Sequence, residues 1–262
     1  MHRRRIPISE AILHTELYEE LVKLNKENKN GVWARIIKNA FAPLFIAKVD
    51  FIAGNPPWIN WRHLPQEYRL GMEDVWKTYG LFNQKGLRAR LGSGMDDISV
   101  LMTYVSGDMY LAPAGRLGFI VTQTLFQSAG GGQGFRRFRL PNGLYFRVVE
   151  VEDFSSFQPF EGATNRTASM VLVKSDTPTQ YPVKYTKFSL PPRQRRNSRT
   201  TEIDPSTLIS TELEAIPVSG DPTSAWSVAP KGLAKGMPKI AGKSPYQGRI
   251  GAHSGGPLGC SG

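Results

Sequence analysis

The 262-residue chain is 40% hydrophobic and carries a formal net charge of +11. This length and hydrophobic content suffice for one sizeable domain with an appendage, and the excess of Lys and Arg favours a polyanionic partner. The chain has no apolar run of about 18 residues that would predict a membrane span, and no apolar stretch of a secretory signal follows its basic amino end. Its only cysteine is Cys260, which excludes a disulfide framework and favours the reducing cytoplasm.

Two helices are predicted before residue 42, because residues 15–29 and 32–41 place apolar side chains at helical spacing. We expect the second helix to turn four of these side chains toward a core, namely Trp33, Ile36, Ile37 and Ala40. Neither helix carries a residue pattern with chemistry of its own.

A buried strand is predicted at residues 49–53, where a short, β-rich apolar run precedes Gly54. The run continues directly into Asn55-Pro56-Pro57-Trp58. Each proline fixes φ at about −65° and lacks an N–H, so this segment cannot extend a sheet ladder and forms a rigid turn. The turn lies at the carboxyl end of a strand, which is where open α/β sheets bind ligands.

The turn contains the groups needed to activate an amine. The side-chain oxygen of Asn55 and the carbonyl oxygen of Pro56 can accept both hydrogens of one exocyclic amine, whose lone pair is otherwise delocalised. Accepting both hydrogens concentrates the lone pair on nitrogen, ready to attack an electrophilic methyl group. Trp58 adds a flat face on which a base can stack, at about 1–3 kcal/mol per base. This chemistry requires no ionised catalyst, and the sequence predicts no metal site.

Downstream of the turn, a helix is predicted at 64–78, where it could roof a substrate cleft. Residues 80–95 are rich in Gly and Arg and are interpreted as a loop, either solvated or in contact with phosphates. A helix from Asp96 or Asp97 to Leu111, a turn at Pro113-Ala114-Gly115 and a strand at 116–122 follow.

Two further strands are predicted at 145–152 and 168–174, with Phe157 and Phe160 between them. Before these strands, a glycine-rich hinge leads into a basic patch that consists of Arg136, Arg137 and Arg139. This patch is expected either to contact a DNA backbone or to form a solvated face. From about residue 176 hydrophobic periodicity weakens and eleven of the nineteen prolines follow, so this region is interpreted as a linker and a poorly ordered segment.

The segment from Asp50 to Trp58 resembles the catalytic motif of DNA methyltransferases that modify adenine N6, in its Asn-Pro-Pro-aromatic form. The flanking segments, Trp33 to Leu44 and Ile59 to Arg69, resemble large single-chain restriction-modification methyltransferases. The resemblance implies transfer of a methyl group from S-adenosylmethionine to a flipped-out adenine in double-stranded DNA, within a restriction-modification or related phage-defence system.

The same resemblance implies roles for individual residues. Asn55 and the Pro56 carbonyl would bind the amine, and Asn55 and Pro57 would lie near the cofactor. Trp58 and Phe160 would sandwich the base, with Phe157 as the second choice for the latter position. For either Phe, packing in a core is an equal alternative.

The resemblance covers about residues 30–175 and lacks the cofactor-binding half, because no strand with a glycine-rich loop precedes Val49. We therefore expect an incomplete Rossmann-like α/β methyltransferase fold in residues 1–175, with an uncovered edge where the missing strands belong, and a linker plus the truncated start of a target-recognition region in 176–262. The chain would be a fragment, a subunit completed by a second polypeptide that supplies the cofactor half, or a remnant, and would be inactive alone.

Three alternatives remain at this stage. The turn and its Trp could be purely structural. The same chemistry would serve a protein glutamine amide or an RNA base. The chain could also be a catalytically inactive DNA-binding or assembly subunit.

Overall fold

The computed structural model describes residues 8–28, 30–82, 97–128, 132–160, 163–192 and 203–236. The predicted 80–95 loop lies almost entirely outside these ranges, as do Cys260 and the start of the proposed target-recognition region. The chain divides into two compact units, of which the first ends at Lys48 and the second begins at Val49.

The first unit contains two helices, α1 (Ile8–Lys26) and α2 (Asn30–Phe41), followed by a 3-10 turn, Ala42–Phe45. Both predicted helices are confirmed, although each starts earlier than its periodic pattern. The predicted inward orientation of α2 is wrong for Ile36, which is 48% exposed, and for Ala40, which is also exposed. Ile37 is half-buried, and the side chain of Trp33 is outside the described set.

The second unit is built on a seven-stranded sheet with three α-helices and several 3-10 turns among its described residues. The strands are β1 (Val49–Gly54), β2 (Leu111–Thr122), β3 (Tyr145–Asp153), β4 (Thr167–Ser175), β5 (Val183–Ser189), β6 (Ile209–Pro217) and β7 (Trp226–Pro230). The helices are α3 (Gln66–Thr78), α4 (Ile98–Met109) and the single-turn α5 (Thr124–Gln127).

The strand order is β1-β2-β4-β3-β5-β6-β7. β1 pairs with β2 and β3 pairs with β5 in parallel, and the other pairings are antiparallel. Consequently β1, β2, β3 and β5 run in one direction, and their last residues lie at the same end of the sheet. We call this end the carboxyl end; it is marked by Gly54, Thr122, Asp153 and Ser189.

The central strands and α4 enclose the main core, in which Leu117, Met170, Phe146 and Tyr104 are fully buried. Lys174 fixes the end of α4, because its buried ammonium group donates to the carbonyl oxygens of Gly107, Asp108 and Leu111 at 2.8 to 3.2 Å. Such carbonyls at a helix C-terminus have no partner within the helix.

The predicted turn at residues 113–115 is part of β2 rather than a break before it. The pairing shifts register between Val49–Leu111 and Phe51–Arg116, so the extra residues form a bulge. Ala114 has a φ of +62° within it.

Two expectations about burial and boundaries are wrong. β1 is not covered on both faces, since Phe51 is 75% exposed and Val49 37% exposed; β1 is the first strand of the sheet and pairs only with β2 among the described strands. Residues beyond 176 do not begin a linker, because β5, β6 and β7 extend the same sheet. Within the described residues, no helix is long and apolar enough to cross a membrane.

Candidate active site

The Asn-Pro-Pro-Trp turn leaves β1 at the carboxyl end of the sheet, as the sequence predicts. Pro56 is buried, while Asn55 and Pro57 on either side of it are exposed. The buried proline fixes the backbone, and the exposed Asn55 side chain is available to a ligand. The turn therefore presents its amide to solvent rather than to the core.

Trp58 is held in a defined orientation. Its indole Nε1 donates to the carbonyl oxygen of Ile120, in β2, at 3.2 Å. Its ring contacts that of Phe160 edge to face, with centroids 5.4 Å apart and planes 72° apart. The structure thus brings together the two aromatic residues named for base stacking, whereas Phe157 packs against Phe154 at 6.0 Å.

The segment after Trp58 is anchored to the start of α4. The N–H of Ile98 donates to the carbonyl oxygen of Ile59 at 2.9 Å, and Asn60 forms a β-bridge with Asp97. Trp61 follows, only 8% exposed, with its ring 4.9 Å from that of Trp76 and 5.2 Å from that of Phe82. These contacts keep the polypeptide rigid on both sides of the turn.

Asp97 is a buried carboxylate at this junction. It is 8% exposed, and its Oδ2 accepts a hydrogen bond from the Thr122 hydroxyl at 3.0 Å. Burial raises the pKa of Asp97, and the Thr122 hydrogen bond opposes that rise. The pair links the start of α4 to the last residue of β2.

The loop that carries Phe160 is closed by a side-chain amide. Gln158 accepts the Phe160 N–H at 3.1 Å and donates to the Asn165 carbonyl oxygen at 2.9 Å. We call this arrangement the Gln158 clasp. The next residue, Arg166, accepts the Gln123 N–H at 2.9 Å through its carbonyl oxygen, which ties the loop to the end of β2.

A cavity of about 530 Å³ lies beside Phe160. This volume is in the range of small-molecule sites. Its walls are apolar and include residues from the supposed linker; they are Ile120, Phe154, Phe157, Pro159, Phe160, Ile203, Pro205 and Leu208. The sequence did not predict the last three, Ile203, Pro205 and Leu208. Their only signal in the sequence is that they are isolated apolar residues in a polar stretch.

The basic patch differs from the expectation. Arg136 is 1% exposed, and its guanidinium donates to the carbonyl oxygens of Leu125, Ser128 and Thr223, so it cannot contact DNA. Arg137 and Arg139 are exposed. Arg139, however, forms a bridge with Tyr145, the first residue of β3, which is at the end of the sheet opposite the Asn-Pro-Pro-Trp turn.

The described residues contain no group of three or more His, Cys, Asp or Glu side chains that could hold a metal ion. The site therefore consists of a rigid turn with an exposed amide, an oriented indole, a second aromatic ring and an adjacent apolar cavity.

Comparison with known proteins adds the family. The model of the Eco57I restriction-modification methylase family matches residues 5–160. No curated protein sequence matches the chain. Among solved structures, the type IIG restriction endonuclease BpuSI is 15% identical over 66% of this chain and 20% of its own, with a TM-score of 0.39.

Two further structures are similar at the same level. The type ISP restriction-modification enzyme LlaBIII, bound to DNA, is 13% identical over 68% of this chain and 13% of its own, with a TM-score of 0.41. A protein from Listeria monocytogenes described as a class I S-adenosylmethionine-dependent methyltransferase is 16% identical over 62% of this chain and 40% of its own, with a TM-score of 0.38.

The chain thus spans between 13% and 40% of the length of these three proteins. The predicted α/β class is confirmed by the mixed seven-stranded sheet, and the family match covers most of the first unit and the Asn-Pro-Pro-Trp turn. The chain belongs to the Eco57I restriction-modification methylase family.

Proposed function

We propose that this chain carries the catalytic turn of a DNA methyltransferase that transfers a methyl group from S-adenosylmethionine to the N6 amine of a flipped-out adenine. The observation that carries the proposal is the exposed Asn55 at the carboxyl end of β1, three residues before a Trp58 ring that is fixed by Ile120 and faces Phe160. Membership of a methylase family supports methyl transfer. The resemblance of the segment from Asp50 to Trp58 to the motif of adenine-N6 methyltransferases supports adenine as the acceptor.

In this mechanism Asn55 Oδ1 and the Pro56 carbonyl oxygen each accept one N–H of the adenine amine. The two hydrogen bonds favour a pyramidal nitrogen, whose lone pair then forms the new N–C bond. The methyl donor, when bound, would supply the methyl group, with its sulfur keeping the bonding electron pair, and the methylated nitrogen would release one proton to solvent. The turn acts by holding both acceptors in place before the reaction, so no reorganisation is required during it.

The base binds against Trp58. A base sandwiched between two rings requires a separation of about 7–8 Å, because each stacked layer is about 3.5–4.0 Å thick. Trp58 and Phe160 are 5.4 Å apart and nearly perpendicular. Phe160 therefore shifts when the base enters, and the cavity that it lines provides space for the displaced ring.

The methyl donor supplies an electrophilic methyl group on a positively charged sulfur. Asn55 and Pro57 are exposed beside the reacting position and fit that end of the donor. Among the described residues, no strand precedes β1. The described residues before β1 therefore offer no strand followed by a glycine-rich loop or a terminal acid that could bind the rest of the methyl donor. In this proposal that half comes from polypeptide outside the described residues, in this chain or in a separate subunit, which docks beside β1.

Substitution of Asn55 tests the reaction directly. Asn55→Ala removes one acceptor and should reduce methyl transfer by about 100-fold or more, by analogy with the loss of one preorganised hydrogen-bonding group. Asn55→Asp retains an acceptor oxygen and should keep measurable activity. The measurement is incorporation of labelled methyl groups into DNA by the chain in complex with the polypeptide that binds the donor.

Because Asn55 is exposed, the free energy of unfolding of both variants should lie within about 0.5 kcal/mol of that of the wild type. Retention of full activity by Asn55→Ala would refute the proposed chemistry. Incorporation into RNA or a glutamine peptide, but not into DNA, would instead reassign the substrate.

A further inference from the structure

The carboxyl end of the sheet carries two exposed arginines that the catalytic turn does not use, Arg62 and Arg166. Each lies next to one of the two aromatic residues of the candidate site, since Arg62 follows Trp58 by four residues and Arg166 adjoins the Gln158 clasp that holds Phe160. Among the described residues, neither guanidinium has a carboxylate partner.

Arg62 is oriented by its surroundings. It lies in the 3-10 turn Trp61–His63, in which Trp61 is packed between Trp76 and Phe82. The Asn60 side-chain oxygen accepts both the backbone N–H of Arg62, at 3.2 Å, and its Nε, at 3.3 Å. This fixes the base of the guanidinium in a residue that is exposed. A planar fork of this kind suits the oxygens of a phosphate.

Arg166 is fixed through its backbone. Its carbonyl oxygen accepts the Gln123 N–H, the preceding Asn165 carbonyl accepts the Gln158 amide, and the following Thr167 is fully buried as the first residue of β4. The side chain is the exposed part of an otherwise anchored residue.

We propose that Arg62 and Arg166 bind the DNA phosphates on either side of the nucleotide whose base stacks on Trp58. Four residues span at most about 14 Å, so Arg62 begins within reach of the phosphates next to that nucleotide. This inference rests on the proposed function and assigns its DNA contacts to the carboxyl end of the sheet instead of the patch around Arg136.

Arg139 provides the matched control. It is also an exposed arginine, but it bridges Tyr145, the first residue of β3. The nine residues of that strand span roughly 26 Å from there to the carboxyl end of the sheet. Its replacement removes the same charge at the far end of the same sheet.

The test is the salt dependence of binding between the full chain and a fluorescein-labelled mixed-sequence DNA duplex, measured by anisotropy from about 50 to 200 mM salt. Each phosphate contact contributes about 0.9 to the slope of log K against log salt concentration. Arg62→Gln and Arg166→Gln should each lower the slope by about 0.9, and the double variant by about twice that. Arg62→Lys, which keeps the charge, and Arg139→Gln should keep the wild-type slope.

Unchanged slopes in both carboxyl-end variants, an equal loss in Arg139→Gln, or no binding by the wild type at about 50 mM salt would each overturn the inference. The assay needs no methyl donor and no turnover, and Asn55→Ala should keep the wild-type slope. Binding through these arginines, with no methyl transfer by the chain in complex with the polypeptide that binds the donor, would refute the proposed reaction alone. A chain that methylates DNA with unchanged slopes would refute this inference alone.

Discussion

Two adjacent arginines show how differently one residue type is used in this protein. Arg136 is buried and ties its own turn to two other segments through the carbonyl oxygens of Leu125 and Ser128 and of Thr223. Arg137 is exposed and donates to the Gly80 carbonyl oxygen at 3.2 Å. The first arginine is a structural tie, and the second is a surface residue with one backbone contact.

Replacement of these two residues should therefore have unequal effects on stability. Arg136→Ala leaves three carbonyl oxygens without this donor in a buried environment, so we expect a loss of at least about 3 kcal/mol in the free energy of unfolding. Arg137→Ala should lose less than about 1 kcal/mol. Urea denaturation of both variants measures the difference, and similar losses would contradict the burial of Arg136.

Asp97 predicts a pH dependence of stability. Burial raises its pKa, so the folded chain holds this proton more tightly than the unfolded chain does. The contribution of Asp97 to the free energy of unfolding therefore falls as the pH rises from the ordinary aspartate pKa through the raised one. Asp97→Asn keeps an acceptor for the Thr122 hydroxyl but does not titrate.

We expect the wild type to lose stability relative to Asp97→Asn as the pH rises from the ordinary aspartate pKa through the raised pKa of Asp97. Urea denaturation at several pH values compares the two proteins. Parallel curves across this interval would show that the Asp97 carboxyl is not buried as described.

At this scale, the sequence predicted the residues whose position depends on local chemistry. Two prolines after a strand fix the turn at Asn55 whatever surrounds it. The burial of Arg136 could not be predicted, because its carbonyl partners come from two segments, around residues 125–128 and at Thr223, that only the folded chain brings together. The sequence does not distinguish the exposed Arg62 from other surface charges, because its hydrogen bonds to Asn60 are visible only in the structure.

At the scale of elements, two helix glycines have opposite environments. A β-carbon on Gly107, in α4, would lie 2.3 Å from Cζ of Phe146, whereas one on Gly71, in α3, would meet no atom within 4 Å. Gly107 permits α4 to pack closely against β3. Gly71 has no such role and only lowers the helix propensity of α3.

Alanine substitutions should separate these two cases. Gly107→Ala should destabilise the fold by about 1–3 kcal/mol, because the overlap with a packed ring outweighs the gain in helix propensity. Gly71→Ala should stabilise it by about 0.5–1 kcal/mol. Thermal unfolding measures both effects, and a gain of stability in Gly107→Ala would contradict the described packing of α4 on β3.

The elements themselves were largely predictable, because the helices and the first four strands carry clear hydrophobic periods. β5, β6 and β7 were not predicted. Their sequences contain charged residues such as Lys184 and Glu214, whose side chains occupy the polar face of an antiparallel pairing. Such strands are formed by their neighbours in the sheet more than by their own composition.

At the scale of the whole molecule, the sheet has one anomalous edge. β1 pairs in parallel with β2, and parallel strands are ordinarily buried on both faces. Phe51 is nevertheless 75% exposed. An exposed apolar strand of this kind is a site for association with another polypeptide. This agrees with the proposal that further polypeptide, from the same or another chain, docks here and binds the methyl donor.

The proposed function requires that the Asn-Pro-Pro-Trp turn act on an adenine amine in DNA. The most direct measurement is quantification of methylated nucleosides by mass spectrometry after DNA is incubated with S-adenosylmethionine and the chain in complex with the donor-binding polypeptide. We predict N6-methyladenine with the wild type and with Arg139→Gln, at least about 100-fold less with Asn55→Ala, and none above background with the chain alone. A methylated cytosine as the sole product, or N6-methyladenine formed equally by Asn55→Ala, would contradict it.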